Sequence, residues 1–180
     1  MKSKYVILAS ALLISVSNFA QKDQIKAAEK ALKNGNAAEA VATLKQAEST
    51  IGAATAAEKA QYYFVKGNAL ADLANKKVEA AKNLSGAAKA YQEVLAVEKT
   101  SGKSKYSGDA TTALADMKSQ LINAAVEAGT AKNYKLASDL LYQTYELDKT
   151  DLEKLYYAAN YAVNAQDFDR ALALYDELKK

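Results

Sequence analysis

An all-α fold built of stacked helix pairs is what this sequence predicts, and three observations carry the prediction. Composition is the first: half of the 180 residues are hydrophobic, proline is absent and glycine occurs only seven times. Alanine leads the apolar set, and many strong helix formers with few breakers favour helix. The second is a recurrence. Asn133-Tyr134-Lys135-Leu136-Ala137 and Asp167-Phe168-Asp169-Arg170-Ala171 each place an aromatic three residues before an alanine, and the two alanines lie 34 residues apart. A helical apolar pattern precedes each (Leu121, Ala124, Ala125, Ala128, then Leu155, Ala158, Ala159, Ala162) and another follows (Leu140, Leu141, Thr144, then Leu174, Tyr175, Leu178). A helix pair returning at a fixed period is the sequence form of a stacked helical array. Third, no run alternates apolar and polar residues long enough to propose a strand.

Taken in order, residues 1–20 read as a secretory signal peptide. Lys2 and Lys4 head the apolar stretch Tyr5–Val16, and Ser17-Asn18-Phe19-Ala20 ends on a small residue before Gln21. The apolar stretch is shorter than the ~20 residues a spanning helix needs. The mature chain is therefore expected to be exported, periplasmic or secreted, with no membrane span. Residues 21–54 read as a first helix pair. Ile25, Ala28, Ala31 and Leu32 form one stripe, Asn34-Gly35-Asn36 a turn, and Ala37, Ala40, Val41, Leu44 and Ala47 a second stripe.

Residues 55–102 read as an elongated second pair. Thr55 is placed to cap a helix over 57–75, and a partner helix covers 78–99 with Ser85-Gly86 inside its pattern. Residues 103–150 make the third pair and 151–180 the fourth. Thr100–Gly108 is the most loop-like stretch and the expected site of proteolysis, and Asp109 is placed to cap the helix over 110–128. Turns are expected at Lys132-Asn133, Lys149-Thr150-Asp151 and Gln166-Asp167.

The chemistry available is limited. Without cysteine there is no disulfide framework or thiol nucleophile, and without histidine the usual general base and commonest metal ligand are gone. Formal charge is +3, and setting aside the leader's two lysines leaves 22 basic residues against 21 acidic. Lysine and glutamate interleave along the helices rather than forming a basic stripe, which argues against nucleic acid. The acidic pairs Asp148 with Asp151, and Asp167 with Asp169, fall at turns and helix starts, where a carboxylate caps backbone N–H groups. There is no Gly-rich phosphate loop and no Ser-His-Asp set. We expect no catalysis, no cofactor and no metal.

These pairs resemble tetratricopeptide repeats, a pattern of small and large residues at fixed offsets. Matching positions in the last pair are Leu155, Ala158, Ala159, Ala162, Phe168, Ala171, Tyr175 and Leu178. In the third they are Leu121, Ala124, Ala125, Ala128, Tyr134, Ala137, Leu141 and Thr144. The first pair matches more weakly through Gln24, Ala27, Ala28, Ala31, Ala37, Ala40, Leu44 and Ala47. The second matches through Tyr63, Lys66, Gly67 and Leu70 and then, after eight inserted residues, Ala87, Tyr91 and Val94. Departures are the family's terminal proline, replaced by Gly52, Lys99 and Lys149, and the stretched second pair.

The resemblance implies a right-handed superhelical array of antiparallel helix pairs, an α-solenoid. It also implies a concave face lined by the first helix of each pair and a protein or peptide partner on that face. Transferred residue by residue, that face carries Phe64, Asn68 and Asp72, Ile122 and Val126, and Tyr156, Asn160 and Asn164. Ordinary packing and surface roles are the other reading of each. The lysines by which one subfamily clamps a C-terminal carboxylate are unmatched, Phe64 and Tyr156 standing there instead, so that ligand is not expected.

Twelve tyrosines leave open a glycan- or small-ligand-binding helical domain. A third reading is the regulatory N-terminal part of a larger protein, because an apolar helix runs directly to Lys179-Lys180 where a polar cap is expected.

Overall fold

The computed structural model describes residues 21–179, so the signal-peptide segment lies outside the described residues. Those residues are all-helical, and no strand occurs among them. The first helix, α1, covers residues 21–33. It is followed by α2 (Ala37–Ala47), α3 (Ala56–Asn75), α4 (Ala80–Ser101), α5 (Ser107–Thr130), α6 (Tyr134–Leu147), α7 (Leu152–Asn164) and α8 (Phe168–Glu177). A single 3₁₀ turn, Ile51–Ala53, joins α2 to α3.

The turns inside pairs one, three and four are built alike. Gly35, Lys132 and Gln166 have positive φ of 78°, 61° and 60°. The next residue's N–H donates five residues back: Asn36 to Ala31, Asn133 to Ala128 and Asp167 to Ala162, at 2.8–3.0 Å. This is the left-handed helix end that satisfies the last carbonyls of a helix. The same Asn36, Asn133 and Asp167 then turn their side chains forward and accept from the N–H of Glu39, Leu136 and Arg170. One residue thus closes one helix and opens the next, and it fixes the angle between them.

Equal turns set equal registers. Ala28, Ala125 and Ala159 lie eight residues before the turn residue, Ala40, Ala137 and Ala171 four after it, and all six are at most 3% exposed. Small residues there let two helix axes approach closely.

Pair two keeps the helix ending, with Lys77 at φ 63° and Val78 N–H donating to Leu73. Its eight extra residues divide: three lengthen α3 before the turn and five precede Ala87 in α4. Valine cannot cap, and α4 starts from Glu79 with no side-chain cap. Gly67 takes the place of the first alanine, and a Cβ there would lie 2.7 Å from the Tyr91 ring. Ser85-Gly86 do not start α4, which begins five residues earlier and is helical through both of them.

Each helix from α2 onward packs on the next in the chain, and α4 also meets α6. Side-chain contacts join the first helices of successive pairs: Gln61 of α3 donates to Glu29 of α1 at 2.9 Å, and Tyr161 of α7 lies over Gly129 of α5. Others join second helices: Gln143 of α6 donates to Ser85 of α4 at 3.0 Å, and Arg170 of α8 pairs with Asp139 of α6 at 2.8 Å. The core has two parts that meet on α3. Tyr62, Val65 and Ala69 face α1 and α2, while Leu70 and Ala74 face the chain from α4 to α8.

The join between α4 and α5 departs from expectation. Asp109 does not cap α5, which begins earlier, at Ser107. The cap comes from the preceding helix. The Glu98 side chain of α4 accepts from the Tyr106 and Ser107 N–H groups and from the Ser107 hydroxyl, at 2.5–3.0 Å. Glu98 is 2% exposed, and the free connection shrinks to residues 102–106.

Candidate functional site

The eight residues that the resemblance puts on a partner-binding face divide in the structure by what already holds them. In pair two the chain uses them itself. Phe64 stacks on Tyr106 at a ring separation of 4.8 Å. Asn68 accepts from the Tyr91 hydroxyl at 2.7 Å, and Asp72 pairs with Lys76 at 2.7 Å. Burial pushes the Tyr91 hydroxyl up to about 12, so it stays protonated and donates.

Asn160 in pair four is held in the same way, accepting from Tyr175 at 2.6 Å. The two locks are equivalent: each asparagine follows the small crossing residue by one, and each tyrosine follows the second crossing alanine by four. Where the tyrosine becomes Leu141 or Leu44, the asparagine becomes Val126 or Glu29, so donor and acceptor come and go together. The amide therefore serves the helix crossing first. Its pairing is invisible to a one-helix reading because Tyr91 stands 23 residues from Asn68.

The others remain open. Val126 on α5 and Tyr156 on α7 are 59% and 49% exposed, Asn164 is exposed and Ile122 is half-buried. Helices α5 and α7 are neighbours through Gly129 and Tyr161. Tyr156 also touches Tyr157, ring centres 5.7 Å apart, and neither ring is buried. By contrast Tyr62 is buried in the core beside half-buried Tyr63. The residues left open are thus apolar, aromatic or amide in character, and they sit on α5 and α7.

Around it, charge is used for structure. Asp148 is held down to about 2 by the Thr150 hydroxyl and by Lys118, with which it pairs at 2.9 Å. Asp167 caps α8, and Asp151 pairs with Lys154. Arg170 joins Ser138, Asp139 and the face of Tyr142. Among the described residues no group of three or more acidic, histidine or cysteine side chains is placed to hold a metal ion. Nor is any described helix long and apolar enough to cross a membrane.

No family model, curated protein or solved structure matches this chain.

Proposed function

We propose that this chain is an exported scaffold of tetratricopeptide type, a right-handed stack of helix pairs that binds a protein or peptide and performs no catalysis. What supports the stack is the turn repeated at residues 34–36, 131–133 and 165–167, with the same alanines buried on either side of each. Equal turns at equal registers give pairs one, three and four the same internal crossing, and pairs stacked with a small regular rotation curve an array. Export rests on the sequence pattern of residues 1–20.

The observation that carries the binding reading is the exposure of Val126 and Tyr156 on adjacent helices α5 and α7. Apolar and aromatic side chains on a rigid surface suit an extended or helical peptide. Ile122 and Asn164 belong to this proposed half of the face, while Phe64, Asn68, Asp72 and Asn160 are each held by an intramolecular contact.

A protein retained from envelope extract on the immobilised chain should lose at least ~10-fold in affinity with Val126→Glu or Tyr156→Ala, while Lys26→Glu on α1 changes little. Equal retention by all variants contradicts the reading. The exposed Tyr156–Tyr157 rings favour one other class, a glycan stacked on aromatic faces. Binding on a glycan array that Tyr156→Ala abolishes, with no protein retained, selects it.

A further inference from the structure

We infer that the mature chain begins with a pyroglutamyl ring, formed when Gln21 closes its side chain on its own freed amine and loses ammonia. The inference rests on the reading of residues 1–20 as a leader cut after Ala20, and it goes beyond that reading. It starts from a glutamine that stands where a core residue belongs. Gln21, Ile25 and Ala28 follow one another at spacings of four and three along α1, so they share one face, and all three are at most 3% exposed. A primary amide carries two N–H donors that need partners once they leave water. Gln21 Nε2 has none among the described residues. Such a group is rare in a folded protein and costly to keep.

Removal of the leader supplies the reaction that disposes of it. Gln21 then holds a free α-amine and, on the same residue, an amide carbon that the amine reaches by closing a five-membered ring. The unprotonated amine attacks that carbon and a new C–N bond forms. The bond from the carbon to Nε2 breaks, and Nε2 leaves as ammonia with the proton that the amine gives up. No oxidant, reductant or second substrate is consumed. The atom lost is the one that the folded chain leaves without a partner. The step also suits the helix. Residues 21–33 are helical, so an open ammonium would set a positive charge at the positive end of α1, whereas the lactam is neutral. Because Gln21 is buried in the folded chain, the ring closes before α1 docks.

Mass spectrometry of the full chain, recovered directly from the cells that make it, is the test. The peptide covering residues 21–29, released by cleavage after Glu29, should be lighter than its sequence by one ammonia and should resist aminopeptidase. Gln21→Asn, made in the same cells, has a side chain one methylene too short for the five-membered ring and should give an open amine at full mass. An open Gln21 overturns the inference and leaves export standing, and so does a cut at another residue. A chain that keeps Met1 overturns the inference together with the leader reading. A blocked N-terminus in Gln21→Asn also overturns it, because the block would then not depend on the glutamine.

Discussion

Replacing Glu98 by alanine should cost roughly 2–4 kcal/mol, and lower the melting temperature by roughly 5–15 °C, although the side chain is a charged one. The reason is what it holds. Its carboxylate accepts from the N–H groups of Tyr106 and Ser107 at the start of α5, which have no partner within the helix, and from the Ser107 hydroxyl. Alanine leaves those N–H groups at the edge of the core and releases the connection 102–106, so proteolysis there should accelerate in parallel.

The same geometry gives a pH signature. Burial alone would raise the Glu98 carboxyl, but hydrogen bonds from Ser107 and from the Tyr106 and Ser107 amides outweigh it and hold it below the usual glutamate range. A carboxyl lowered on folding stabilises above its unfolded value, about 4.3, and loses that contribution as pH falls through the folded value. The stability gap between wild type and Glu98→Ala should therefore be full at neutral pH and shrink as the solution is acidified below about pH 5. Denaturant midpoints at several pH values measure it. A gap that stays constant or widens on acidification contradicts the assignment.

Leu121→Ala and Leu155→Ala should each lose roughly 2–5 kcal/mol, and by similar amounts. Both leucines are wholly buried, in α5 and α7, and they stand 34 residues apart at the same place in successive pairs. Each precedes its crossing alanine, Ala125 or Ala159, by one helical turn. Truncation removes the same contacts in the same surroundings, and the neighbouring helices are tied by the turns at Asn133 and Asp167, so neither site can collapse freely. Urea midpoints at unchanged slope read both costs. If one substitution cost several kcal/mol and the other almost nothing, the two positions would not be equivalent.

How far the fold could be read from sequence depends on distance along the chain. Helices and turns were legible because their causes are local: alanine-rich stripes, the Asn34-Gly35-Asn36 turn, the Thr55 cap with its reciprocal Glu58 bond. Recurrence added register, because Ala137 and Ala171 repeat with the same neighbours. Interactions across helices were not legible. Glu98 near the end of a long helix looks like a solvated charge, and only the uncapped start of α5 eight or nine residues later hints at its task. Asn68 and Asn160 look free on their own helices, yet each is taken by a tyrosine from the next. Phe64 looks open until Tyr106 folds onto it from the connection after α4. The second pair misleads most, since its extra residues carry no signal of how they divide between α3 and α4.

The central claim is that the helix pairs follow one another as a row whose ends stay apart. Spin labels at Lys30→Cys in α1 and Ala173→Cys in α8, both exposed sites in a chain with no other thiol, measure that separation directly when the labelled chain is diluted into unlabelled protein. Helices pack 8–10 Å apart, so three steps from the first pair to the last predict about 30 Å or more between the labels. A narrow distribution near ~10 Å, as for two adjacent helices, would mean that the last pair closes onto the first and would contradict the row.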